Sequence, residues 1–154
     1  MPKLSAGLLL YRWADGELEV LIVHPGGLFW ARKDDGAWSI PKGEFDDGQD
    51  PLEHARREFA EELGSAAPVL GDYLPLGQIK QPSGKLVSCW AIEGDLDVET
   101  IRSNTFEMEW PRGSGRMQEF PEVDRAAWFS VDEARAKLLG GQVLFLDRLV
   151  ERLG

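Results

Sequence analysis

Apolar residues recur along this chain in two rhythms. LSAGLLLYR (4–12) and LEVLIVHP (18–25) are short runs rich in Leu, Val and Ile, separated by the turn-like Ala14-Asp15-Gly16, and they predict an antiparallel strand pair. YLPLGQIKQ (73–81) and KLVSCWAIEGDL (85–96) repeat the arrangement around Pro82-Ser83-Gly84 and predict a second hairpin. Between these pairs, GGLFWARKDDGAWSIPKGE is loop-rich and ends in Trp38-Ser39-Ile40, a brief predicted strand feeding Pro41, Lys42 and Gly43. FEMEW and AAWFS add short extended segments later in the chain.

The rhythm turns helical at three places. Asp50 suits an N-cap, Pro51 the first helical position and Glu53 the acidic place of a capping box, while Gly64 supplies the stop. At about 100° per residue, Leu52, Ala55, Phe59 and Leu63 form one apolar stripe with Glu58 and Glu62 at its edge, so those two carboxylates are expected to be half buried. Ser130 with Glu133 forms a capping box for a helix running to Leu138 or Leu139 before Gly140-Gly141. Val143, Leu146, Leu149, Val150 and Leu153 predict an amphipathic closing helix. Strands, a helix, more strands and closing helices make an α/β chain, and the lack of a repeat or linker predicts one domain over 1–154.

Glu58, Glu61 and Glu62 are spaced by three and four residues, on neighbouring positions of one helical face. Like charges that close weaken a helix, and half-buried carboxylates are costly unless paired or metal-bound. A hard divalent cation would relieve both. The other reading is a solvated acidic face with salt bridges to Arg56 and Arg57.

The stretch from Gly43 to Ser65 resembles the Nudix box, whose pattern is Gly, five residues, Glu, seven residues, Arg-Glu, an apolar residue, any residue, Glu-Glu, any residue, Gly and an aliphatic residue. Here the positions read Gly43, Gln49, Arg57, Glu58, Phe59, Glu61, Glu62 and Gly64. Gln49 stands where the family has Glu, and Ser65 where it has an aliphatic residue. The resemblance implies an α/β/α sandwich around a mixed sheet and hydrolysis of a nucleoside diphosphate linked to another group. It also implies magnesium, with manganese as a substitute, held by Glu58, Glu61 and Glu62 with the carbonyl of Lys42 as a further ligand. Such an ion takes oxygen ligands, bridges carboxylates to substrate phosphates and lowers the pKa of a bound water.

Within that reading Arg57 orients a box glutamate, Glu61 is catalytic, and Glu44 or Glu119 assists deprotonation. Glu119 and Glu122 are both placed to complete the metal site, and the residues leave the choice between them open. The sequence W-x-x-P-K-G ahead of the box resembles family members acting on dinucleoside polyphosphates or related compounds. Nucleoside triphosphates and dinucleoside polyphosphates therefore lead as substrates, with nucleotide sugars behind. Gln49 supports one alternative, a nucleotide-binding module that has lost turnover.

Composition narrows the setting. A net charge of −10 opposes docking on a nucleic-acid duplex or an anionic membrane, so a small polyphosphate has to be drawn in locally. Lys42, Arg32 and Lys33 are placed for that, with Lys42, Trp38 and Arg32 the expected substrate contacts; Arg112 and Arg116 read as solvated loop residues. Among six tryptophans, Trp30, Trp38 and Trp90 are candidates for stacking on a base, against the commoner fate of burial. His24 reads as a strand-end residue and His54 as a hydrogen-bonded surface group. A lone Cys89, no apolar window of membrane-spanning length and no secretory start point to a soluble, cytoplasmic protein, monomeric or homodimeric.

Overall fold

The computed structural model describes residues 3–67 and 71–154. Strand β1 (Leu4–Ala14) and strand β2 (Glu17–Pro25) form the expected antiparallel pair, in register from Leu10↔Leu21 to Ala14↔Glu17. Asp15 and Gly16 both have positive φ, 51° and 81°, the conformation of a two-residue hairpin turn whose twist matches that of the strands.

β1 is the hub of the sheet. On one edge it pairs in parallel with β5 (Leu86–Glu93), which forms the predicted hairpin with β4 (Leu74–Lys80). On the other edge its first half pairs with β3 (Lys42–Phe45) and its second half with β2. β2 continues past that point to pair with β8 (Val123–Ser130), giving the order β4-β5-β1-β2-β8. The sheet is mixed, as expected. The brief strand expected at Trp38-Ser39-Ile40 is reduced to isolated bridges, Val23↔Ser39 and Trp38↔Leu138, and the ladder begins at Lys42 instead.

Alternation along β1 sends residues to two cores. Ala6, Leu8 and Leu10 pack with Ala55, Phe59 and Leu63 of helix α1 (Pro51–Leu63), whereas Leu9 and Tyr11 pack with Ala134, Phe145, Leu146 and Leu149 of helices α2 (Val131–Lys137) and α3 (Val143–Leu153). A helix layer on each face makes the α/β/α sandwich. Fully buried side chains such as Phe59 and Leu146 each contribute about 2 kcal/mol of transfer free energy.

Three expectations shift. The capping box at Ser130 and Glu133 forms, but α2 stops at Lys137 because Leu138 turns extended into the core and bridges Trp38. The buried stripe of α3 is Phe145, Leu146 and Leu149, with Val150 turned outward. FEMEW, expected as an extended segment on its own, gains a partner: β6 (Thr105–Glu109) pairs with β7 (Met117–Pro121) as a separate two-stranded ribbon, while Arg112 and Arg116 stay exposed in the loop between them, as expected. Among the described residues no helix is long and apolar enough to cross a membrane.

Candidate active site

Helix α1 is fixed at both ends. The Asp50 side chain accepts from the Leu52 N–H, and Gly64 closes the helix in the left-handed region at φ 84°. The last carbonyls are taken up by the segment 102–104: Asn104 N–H donates to Glu61 O at 2.8 Å and Arg102 N–H to Leu63 O at 3.1 Å. That segment also carries the acid that faces the helix. Asn104 O accepts the Glu122 N–H at 2.9 Å, Ser103 Oγ accepts the Val123 N–H at 3.0 Å, and Glu122 O accepts the Gly26 N–H at 2.9 Å. One short strap thus ties the end of α1 to Glu122 and to the loop after β2.

Gly43 brings β3 against α1. A Cβ there would overlap Cδ and Oε2 of Glu58 and approach its Cγ to 2.6 Å, so only glycine lets the carboxylate lie along the strand. Glu62, one turn on, is 8% exposed and its Oε2 has no hydrogen-bond partner. Burial first, then the charges of Glu58 and Glu122, push the Glu62 carboxyl up to about 9. Burial and the charges of Glu61 and Glu122 raise Glu58, and burial with Glu61 raises Glu122. Lys42 lies among them. Burial and Lys85 lower its ammonium, while Glu62, Glu44 and Glu58 pull the other way.

Acids raised by burial and by one another, with a buried oxygen left unpartnered, are the donor set a divalent cation would satisfy. Among the described residues no three His, Cys, Asp or Glu side chains are yet drawn into a cage, in keeping with their mutual repulsion. The residues fit a divalent ion by their chemistry.

This arrangement sets a stability profile for the metal-free protein. The native Glu62 carboxyl retains a proton that the unfolded chain gives up near 4.5, so the stability it allows is present below that pH and is lost as pH rises toward about 9. Glu58 and Glu122 shift in the same direction. Chelator-treated protein is expected to lose stability steadily between pH 5 and 9, by up to about 1.4 kcal/mol per pH unit for each proton involved. Thermal melts across that range check this; a flat profile contradicts it.

Two connected spaces meet at these residues. A cavity of about 200 Å³ holds Lys42, Glu62 and Glu122, with Pro25 and Trp30 on its wall. Pro25, Trp30 and Glu122 also line a cleft of about 430 Å³ walled by Phe29, Phe106 and Met108. A larger space of about 770 Å³ lies against Lys3, Glu44, Asp46, Asp47, Gln49 and His54. The unpartnered Glu62 Oε2 and the aromatic wall, rather than size, make the first pair the candidate site.

The expected residues divide accordingly. Glu58, Glu62 and Lys42 come together, and Glu61 stands exposed beside them. Arg57 is exposed, and its charge eases the Glu58 carboxyl downward. Glu44 is turned to a cationic edge, 3.3 Å from Lys85 and 3.9 Å from Lys3, and Lys85 holds its carboxyl below the usual range. Trp38 is 2% exposed, in the core, its indole N–H donating to Asp34 Oδ1 and its ring edge-on to His24 and Phe129, so it has no free face for a base. Trp30 lines both spaces, while Trp90 is half buried against the α1 core. Arg32 is exposed and lines neither space; the Lys33 ammonium sits 3.8 Å over the Phe29 ring.

Glu119 lies on the ribbon, opposite Glu107, where it accepts from Thr105 Oγ1 at 2.8 Å. Glu122 is the acid the structure sets facing the box helix. Gln49 Oε1 accepts the Asp46 N–H at 2.9 Å and its own N–H donates to Asp46 O, so the amide closes the loop before α1. His24 sits at the end of β2 as expected, fully buried between Asp124 Oδ1 and Lys33 O, whereas His54 is buried rather than on the surface. Phe29, Phe106 and Met108 were not singled out, since nothing in their local sequence marks them as facing one cleft.

The site is thus an acidic helix packed on a strand-borne glycine within an α/β/α sandwich. The chain belongs to the Nudix family, matching the NUDIX domain over residues 1–152. It is 42% identical over 71 residues to an RNA pyrophosphohydrolase of Rhodospirillum rubrum, an alignment covering 45% of this chain and 42% of that protein. The chain therefore spans less than half the length of that curated relative. In fold it is similar to a C. elegans Ap4A hydrolase, with a TM-score of 0.63, 19% identity and full coverage of both chains. It is also similar to the NUDIX domain of Shewanella oneidensis NrtR crystallised with ADP ribose, with a TM-score of 0.66, 16% identity and coverage of 100% and 90%.

Proposed function

We propose that this protein is a divalent-metal-dependent pyrophosphohydrolase that cleaves a phosphoanhydride of a nucleoside 5′-polyphosphate, with nucleoside triphosphates and dinucleoside polyphosphates as the leading substrates. The observation that carries this reading is the buried Glu62 carboxylate, its Oε2 unpartnered, beside Glu58, Glu122 and Lys42 at the head of an aromatic cleft. Glu58, Glu61, Glu62 and Glu122, with the Lys42 carbonyl, would hold magnesium or manganese. When bound, the ion neutralises phosphate charge and makes a bound water acidic enough to attack phosphorus.

The chain's own groups do the rest. The Lys42 ammonium, poised between acids, offers its charge to a phosphate oxygen. Glu61, the exposed one of the three clustered glutamates, receives the proton of the attacking water, and Arg57 restrains Glu58 electrostatically. Trp30 and Phe106 cover the base, a contact worth about 1–3 kcal/mol. Support for a binding module without turnover weakens once Gln49 is seen closing a loop, because an amide oxygen serves that role as well as a carboxylate.

The test is release of phosphate or pyrophosphate from a nucleotide panel with magnesium, in wild type and Trp30→Ala. Turnover on at least one polyphosphate is expected, with KM about tenfold higher in the variant and kcat little changed, as for removal of a binding contact. No hydrolysis of any member contradicts the proposal.

A further inference from the structure

The structure assigns His54 a function that the box pattern does not give it. We propose that His54 is a positioning residue, which holds the Glu58 carboxylate for metal through a hydrogen bond from its Nε2–H to Glu58 Oε1. The inference rests on the reading of Glu58 as a metal ligand.

His54 stands one helical turn before Glu58. Side chains on a helix lean toward its N-terminus, so a carboxylate at i+4 reaches back over residue i. Here His54 Nε2 lies 3.3 Å from Glu58 Oε1, close enough to pair although not aligned as a hydrogen bond. From the opposite side, Gly43 packs against Cδ and Oε2 of the same carboxylate, with no space even for a methyl group. Glu58 is thus wedged between a strand backbone and an imidazole. A carboxylate held on both sides loses little rotamer freedom when it takes a cation.

The ring itself is in an unusual state. His54 is 8% exposed, and neither Nδ1 nor Nε2 has a hydrogen-bond partner. A buried polar group left unpaired costs about 1–3 kcal/mol, so an imidazole kept there without one calls for a reason. Phe45 lies over it with ring centroids 5.7 Å apart, and the ring forms part of the wall of the 770 Å³ cavity behind β3. Other side chains around the site are committed elsewhere: Gln49 closes its loop and Glu44 pairs with lysines. Arg57 and Lys42 act on Glu58 through their charge, and His54 is the group whose ring nitrogen lies within 4 Å of its carboxylate. A small rotation of either side chain turns the 3.3 Å contact into a charge-assisted hydrogen bond, the arrangement by which outer groups usually orient a metal-binding carboxylate.

Isosteres separate positioning from packing. Gln places its amide nitrogen where His carries Nε2, Asn places it near Nδ1, and Leu fills the space without a donor. Manganese affinity is measured by calorimetry on wild type, His54→Gln, His54→Asn and His54→Leu, with a thermal melt of each. His54→Gln is expected to bind manganese like wild type, whereas His54→Asn and His54→Leu bind about tenfold more weakly. The three variants are expected to melt as cooperative folded proteins. Should His54→Leu fail to fold, the Gln and Asn pair decides. Equal affinity in Gln and Asn variants, or wild-type affinity in the Leu variant, overturns the role of His54. A wild-type protein that binds no manganese contradicts the functional reading itself.

Discussion

Glu62→Gln is expected to lower turnover on the order of a thousandfold, about 4 kcal/mol of barrier, while making the metal-free protein more stable. Both effects have one origin. The site buries a carboxylate whose Oε2 has no partner and whose proton is held up to about 9 by burial and by Glu58 and Glu122. Without metal, ionising that group at pH 8 is unfavourable, and a neutral amide removes the penalty, raising stability by about 1 to 3 kcal/mol. With metal, the charge is what the cation needs, and an amide supplies a weaker ligand with no charge to offset the ion's own. Chemical denaturation of chelator-treated protein and steady-state kinetics with magnesium, run on the same variant, check the two halves. A variant less stable than wild type and fully active contradicts this account of Glu62.

A second large effect separates two acids that are three residues apart. Glu122→Gln is expected to reduce kcat/KM by about a hundredfold, or 2.7 kcal/mol, whereas Glu119→Gln leaves it within about twofold. Glu122 hangs from the strap that closes α1, through Asn104 O, and its charge is felt by both Glu58 and Glu62. Glu119 bonds Thr105 within the exposed ribbon. Activity lost with Glu119 and retained without Glu122 would reverse the assignment.

The difference between those two acids also shows where reading a sequence stops. The α1 stripe was legible because its period and caps, Asp50 and Gly64, are local, and burial of Glu62 at the stripe's edge followed from the same angles. The sandwich was legible because hydrophobic runs and turns punctuate the strands, and the family followed from the spacing of Gly43, Arg57, Glu58, Glu61, Glu62 and Gly64. Glu122 could not be chosen over Glu119, since β7 has only five residues with little apolar alternation: its pairing with β6 sets Glu119 beside Thr105, while Glu122, just past its end, is held by Asn104 and Gly26. Trp38 stands three residues before the Pro-Lys-Gly run and was therefore expected near substrate. Bridges of its neighbour Ser39 to Val23 and of Trp38 itself to Leu138 set the indole in the core, the second a contact between residues far apart in the chain. His54 was expected on the surface because it is polar and helical. Phe45, arriving from β3, covers it.

At the centre of the proposal is one divalent cation shared by Glu58, Glu62 and Glu122. Anomalous diffraction from crystals soaked in manganese tests it most directly. A peak within ligand distance of Glu58 and Glu62, with Glu122 and the Lys42 carbonyl around it, is the predicted result. Saturated crystals that show no peak beside α1, or a peak only at Glu44, Asp46 and Asp47 behind β3, would contradict it.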